Sequence, residues 1–193
     1  HFRVGVDGQV TREETLRGRV GVSAAGRRVS VRHGRGTIAR AGEPPIKPVP
    51  LLAAPDVGGL PARFEQLPLR FPVPRLAGAV AWYGEIAPDQ SFDRLLLSKT
   101  AGSAALTFSD LPNGDYVLRL RAADINGLQG LDTVHHFVVF ARPFSPGLNS
   151  PGDTATIRVA QPTFAWSRVV DVARYRVQTA TEPAFAQPLH EAA

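Results

Sequence analysis

Cysteine is missing from the 193 residues, and lysine occurs only at Lys47 and Lys99 against 20 arginines. Without cysteine there is no disulfide, no thiolate metal site and no cysteine nucleophile. The arginine-for-lysine skew reads first as the coding bias of a GC-rich bacterial genome. No apolar run approaches the roughly 18 residues that a membrane span requires. No secretory leader is visible, and the chain opens at His1 inside a strand-like pattern, so it is expected to be a piece of something longer. Apolar residues make up 44% of the chain, enough to bury a core. Glycine (18) and proline (17) are abundant, as many short strands joined by turns require.

The net charge of +5 is concentrated at one end. Residues 1–42 carry nine arginines against Asp7, Glu13 and Glu14, an excess of six. Such a patch attracts anionic polymers: nucleic acid, acidic glycans or lipid head groups. The competing reading is that these arginines only keep the polar face of a small sheet soluble. Arg17, Arg19, Arg27, Arg28, Arg32 and Arg35 are the candidate anionic-partner surface. In this stretch Phe2, Val4 and Val6 alternate up to an Asp7-Gly8 turn. Gly18, Gly26, Gly34 and Gly42 then fall every eight residues. The pattern predicts a β-meander or small β-solenoid over 1–42 with one buried face.

Residues 43–61 hold six prolines and predict an extended, polyproline-like spacer, or else a ligand for an aromatic groove. Residues 62–142 predict six or seven short strands, the pattern of a β-sandwich. Val80, Trp82, Gly84 and Ile86 are expected on one face. After Asn113-Gly114, Tyr116, Leu118, Leu120 and Ala122 are expected inward, with Val117, Arg119 and Arg121 outward. A strand is expected over 104–108 and a closing one over 133–140. Residues 143–193 then begin the unit again. Phe71 maps onto Phe164, Arg75 onto Arg168, Trp82 onto Tyr175, Ala87 onto Ala180 and Phe92 onto Phe185, always 93 residues apart. Ala173, Tyr175, Val177 and Thr179 are expected inward. By its sequence this second copy is incomplete, and its open edge is a candidate for homo-oligomer contacts.

Motifs for catalysis are missing: no His-Glu-x-x-His, Gly-x-Ser-x-Gly or phosphate-cradling Gly-Lys-Ser/Thr. His135 and His136 are adjacent on an expected strand and point to opposite faces, which argues against a shared metal. Asp124-x-Asn126-Gly127 fits the start of a calcium loop but lacks the later acidic ligands, and a turn explains it. Asp89 and Asp93 around Phe92 are a weak carboxylate pair; a loop with an aromatic anchor is the better reading. Tyr83 is the candidate exposed aromatic, because Trp82 beside it must face the core. No enzyme, cofactor or metal is therefore expected.

Two resemblances follow from these residues. Leu111-Pro-Asn-Gly-Asp-Tyr116 through Gly127 resembles the corner and following strand of fibronectin type III domains. That resemblance implies structural roles for Tyr116, Trp82, Trp166 and Tyr175, with Tyr116 bonding a backbone group across the corner. Trp166 matches the position such domains give a tryptophan on an early strand, whereas the first copy has Val73 there. Phe2–Gly8, Leu16-Arg-Gly-Arg-Val-Gly-Val22, Val29–Gly36 and Gly42-Glu-Pro-Pro resemble the C-terminal half of the FecR domain. This implies a periplasmic or envelope-associated protein of Gram-negative bacteria. Some family members are regulators relaying signals to sigma factors; others join a peptidoglycan-binding LysM module to fibronectin-like repeats, and the domain order here is similar to theirs. The expected role is a non-enzymatic binding or scaffold protein whose partner is an envelope protein, peptidoglycan or an acidic glycan. The alternatives are the periplasmic sensor of a FecR-type sigma-factor regulator, or an accessory module of a carbohydrate-active enzyme. Nucleic acid is not expected, since aromatics are not interleaved with the arginines.

Overall fold

Short β-branched and apolar runs, cut by Gly, Asn and Pro, favour strands over helices at every point of this chain. A computed structural model describes residues 1–102, 105–170 and 172–192, and these contain seventeen strands and no helix. The fold is all-β. Among the described residues no helix is long and apolar enough to cross a membrane. The chain divides into two compact units, His1–Phe140 and Ala141–Ala193.

The first unit begins with β1 (Phe2–Asp7), β2 (Val10–Thr15), β3 (Arg19–Ala24), β4 (Arg27–Arg32), β5 (Arg35–Arg40) and β6 (Val49–Pro50). β1, β2, β5 and β6 form one antiparallel sheet in that order, and β3–β4 stands apart as a hairpin inserted between β2 and β5. The arrangement is a meander with a spliced hairpin, without the parallel ladders of a solenoid. The eight-residue glycine spacing has a conformational cause. Gly18, Gly26, Gly34 and Gly42 have φ of 81°, 73°, 71° and 77°, the left-handed region that turns each strand into the next. At the hairpin tip Ala25 joins Gly26 with φ of 47°, so both loop residues take the positive φ that suits strand twist.

Two expectations fail in this sheet. Phe2, Val4 and Val6 do not face a core: they are 53%, 55% and 71% exposed, on the edge strand of the sheet. The proline-rich segment is extended but does more than space domains. Ile46 N–H donates to Ile38 O (2.9 Å), Leu51 N–H to Gly34 O (2.9 Å), and Leu131 N–H to Leu52 O (3.0 Å). It is a strap whose backbone bonds reach the sheet at one end and the following sandwich at the other.

The sandwich comprises β7 (Arg63–Phe64), β8 (Leu69–Pro72), β9 (Ala81–Ala87), β10 (Leu97–Ala101), β11 (Ala105–Phe108), β12 (Gly114–Ala123) and β13 (Thr133–Val139). Ala104, expected to open β11, lies outside the described residues. A five-stranded sheet, β10-β9-β12-β13-β7, faces the β11–β8 pair. Their inner faces bury Leu69, Phe71, Leu106 and Phe108 against Trp82, Ile86, Leu118, Leu120 and Phe137. Phe71 makes edge-on contacts with Phe64 (4.8 Å), Phe137 (5.0 Å) and Phe108 (6.0 Å), each worth about 0.5–1.5 kcal/mol beyond area burial. Val80, expected inside, precedes β9 and is exposed. β7 pairs with β13 in parallel, Val138 N–H donating to Ala62 O and Phe140 N–H to Phe64 O. The expected outward face of β12 holds a larger departure: Val117 and Arg121 are both buried. Phe92 folds over Val117, and the N-terminal sheet covers Arg121.

The second unit contains β14 (Leu148–Ser150), β15 (Ala165–Trp166), β16 (Val177–Thr179) and β17 (His190–Ala192), paired β14–β15 and β16–β17. The β16–β17 pair repeats the β9–β10 pair of the sandwich 93 residues earlier. Leu97 pairs with Ile86 as His190 does with Thr179; Leu96 N–H donates to Ile86 O as Leu189 N–H does to Thr179 O. Phe92 and Phe185 share positive φ, 54° and 50°. Of the residues expected inward, Tyr175, Val177 and Thr179 are half-buried and Ala173 is exposed.

Candidate functional site

Eight of the nine arginines of residues 1–42 divide into two sets by exposure; the ninth, Arg40, lies 4.0 Å from Glu43. Arg3 and Arg12 face the sandwich. Arg17, Arg19, Arg27, Arg28, Arg32 and Arg35 are exposed.

The first set enters a buried ionic junction. In β12, Arg119 lies opposite Glu85 of β9 and Arg121 opposite Tyr83. Arg121 donates through both terminal nitrogens to the Glu85 carboxylate (2.9 Å each), and Arg119 Nε donates to Glu85 Oε2 (2.7 Å). Arg121 Nε donates to Gln129 Oε1 (2.5 Å), and its Nη1 lies 3.6 Å from Asp132. Arg3 reaches over from β1 to Asp132 (2.7 Å), to Gln129 O (3.1 Å) and to Gly130 O. Glu14 of β2 accepts from Gln129 N–H (3.0 Å) and lies 3.7 Å from Arg3 Nε. Arg12 Nε donates to Asn126 O (2.7 Å). Three guanidiniums (Arg3, Arg119, Arg121) thus meet three carboxylates (Glu14, Glu85, Asp132).

Burial alone would raise the Glu85 pKa, but the bonds and charges of Arg121 and Arg119 outweigh it and hold the carboxyl at about 2. Burial lowers the affinity of Arg121 for its proton, and Glu85 more than restores it. For Glu14 burial wins over Gln129 N–H and Arg3, and its pKa is raised. Glu13, on the opposite face of β2, is also pushed up by burial, which the Thr15 hydroxyl only partly offsets. Its Oε2 is buried without a hydrogen-bond partner.

The second set has no such neutralisation. Among the described residues none of its six arginines is in an ion pair, and only Arg35 has a side-chain hydrogen bond, from Nη1 to Pro48 O (3.0 Å). Four of them, Arg19, Arg27, Arg28 and Arg32, lie on the β3–β4 hairpin. Its other face carries Val20, Val22, Val29 and Val31, with Arg27 beside the tip.

The aromatic candidates separate likewise. Trp82 is buried in the sandwich core. Tyr83 is half-buried at the rim of a cavity of about 640 Å³ shared with Arg3, Arg12, Glu14 and Arg121, whose guanidinium carbon lies 5.8 Å from the ring centre. Tyr116 Oη donates to Pro112 O (3.1 Å), closing the corner before β12. In the second unit Trp166 and Tyr175 pack 5.7 Å apart, and Val169 N–H donates to Tyr175 Oη (2.8 Å).

The two adjacent histidines have separate partners: His135 Nε2 bonds Pro61 O (2.9 Å) and His136 Nε2 bonds Gln90 (2.6 Å). The Asp124 carboxylate caps its own turn, accepting from Asn126 and Leu128 N–H (2.9 Å each). Asp89 similarly accepts from Ser91 N–H (2.9 Å), and Phe92 is buried beneath the Arg119 guanidinium, 4.2 Å from the ring centre.

The junction was missed by strand alternation, which places Arg119 and Arg121 in solvent. The available signal was the Arg-x-Arg step in β12 together with the charged Arg12-Glu13-Glu14 run inside a strand. No family model matches the chain, and no curated protein matches it.

Proposed function

We propose that this chain is a non-enzymatic binding or scaffold segment of a bacterial periplasm or cell envelope. A FecR-like sheet docks an anionic envelope component, peptidoglycan or another acidic surface, and fibronectin-like units carry that sheet as a spacer. One observation supports this above all: six exposed arginines without carboxylate partners, four of them on one projecting hairpin. A charge-balanced surface would interleave acids with them. Here two of the three acids of residues 1–42, Glu13 and Glu14, are buried.

The test is a pull-down of the purified chain with bacterial sacculi at about 0.05 M and about 0.5 M salt. Retention at low salt and release at high salt is the expected result. Failure to sediment with sacculi at either salt would sink the reading.

A further inference from the structure

We infer that the exposed face of the β3–β4 hairpin holds one discrete phosphate-binding site, formed by the guanidiniums of Arg19, Arg28 and Arg32 around Gly21. The inference rests on the binding role proposed above and narrows it from a charged surface to a site.

The hairpin register sets Arg19 opposite Arg32, Gly21 opposite Ser30 and Ser23 opposite Arg28. Alternate residues share a face, and all six are exposed. Directly opposed residues hold their Cβ atoms about 4.5–5.5 Å apart, so Arg19 and Arg32 begin side by side. Arg28 begins two rungs away, roughly 13 Å along the strand, too far to share a ligand with them if it pointed straight outward. It does not. Its side chain lies back along the hairpin, where a Cβ on Gly21 would come within 2.5 Å of Nη2 and 2.7 Å of Nε. The missing side chain at position 21 is what lets the Arg28 guanidinium lie flat on the backbone, turned toward the Arg19–Arg32 rung.

Arg28 thus turns toward a rung of two further like charges, and among the described residues none of the three is in an ion pair. An anion arriving at Gly21 relieves their repulsion. Phosphate suits the geometry better than carboxylate does: it offers three or more oxygens in different planes and up to two charges, whereas a carboxylate satisfies one planar fork. Arg27 is excluded because it pairs with Ala24 on the other face, and Arg35 because it already bonds Pro48 O.

The full chain is titrated with inorganic phosphate while the arginine Nε–Hε resonances are followed by NMR, with acetate at equal ionic strength as comparison. Saturable shifts confined to Arg19, Arg28 and Arg32 are expected. R28A should weaken phosphate binding about tenfold, R28K several-fold, and R27A by less than about twofold. G21V, which displaces the guanidinium without removing a charge, should weaken it as R28A does. Vesicles of phosphatidylcholine with and without phosphatidic acid identify the source. Binding that requires phosphatidic acid and Arg28 makes it a lipid headgroup; phosphate shifts without vesicle binding make it a soluble or polymer-borne phosphate. Equal shifts at all six arginines, equal response to acetate, or no loss in R28A overturns the site. If phosphate fails while sacculi still retain the chain at low salt, the site is wrong and the envelope reading survives. If phosphate binds and sacculi do not, the reverse holds.

Discussion

Two groups of arginines in the first unit share a residue type and a strand context and have opposite fates. At the junction, Arg3, Arg119 and Arg121 are met by Glu14, Glu85 and Asp132 and withdrawn from water. On the hairpin, Arg19, Arg28 and Arg32 have no such partner among the described residues and remain in water. The first group is a fastener and the second a surface. Solvent access decides this: a guanidinium under another sheet must be paired, while one in water need not be.

The contrast can be broken most forcefully at Glu85. Glu85→Ala leaves Arg121 buried without its bidentate partner and should cost about 3–5 kcal/mol of unfolding free energy, read by chemical denaturation. Acid should act at the same point. The Glu85 pKa falls from 4.5 in the unfolded chain to about 2 in the folded one. Its contribution is therefore complete above pH 4.5 and lost as pH falls toward 2, and Glu85→Gln should flatten that limb of the stability profile.

A smaller effect is expected at Gly36, where sheet, strap and sandwich converge. An added Cβ would meet Leu51 Cδ2 at 2.8 Å, Glu13 O at 2.9 Å and Leu128 Cδ2 at 3.0 Å. Gly36→Ala should destabilise by about 1–3 kcal/mol, measured as a lower denaturation midpoint. Glu13 works with the opposite sign to Glu85. Its raised pKa means that the folded chain holds this proton more firmly, so stability declines as pH climbs from 4.5 through the folded value. Glu13→Gln should remove that decline and gain about 1 kcal/mol at neutral pH. The smallest effect belongs to the hairpin. Arg32→Ala relieves the like-charge rung with Arg19 and should leave stability unchanged or raise it by about 0.5 kcal/mol or less, in contrast to any charge deletion at the junction.

Much of the sandwich was legible because period-two alternation and turn residues are local signals. Tyr116, Leu118 and Leu120 fall inside as their spacing requires. The 93-residue step was legible from residue identities alone; the positive backbone angles shared by Phe92 and Phe185 were not. Val117 and Arg121 were not, because alternation tells which of two faces a side chain takes, never what will later cover that face. Phe2, Val4 and Val6 fail conversely: their alternation is real, but on the edge strand they are exposed. Of the proposed binding surface, the exposure of the six arginines was legible. The return of Arg28 over Gly21 was not, since it depends on a side chain that position 21 lacks.

The parallel pairing of β7 with β13 has a mechanical consequence. Tension along the chain across the sandwich pulls β7 toward its N-terminal end and β13 toward its C-terminal end. Since the two strands run the same way, the load slides them lengthwise. The bonds from Val138 to Ala62 and from Phe140 to Phe64 then bear the force together instead of peeling open one after the other. A domain clasped in this way meets stretching along the chain with both bonds at once.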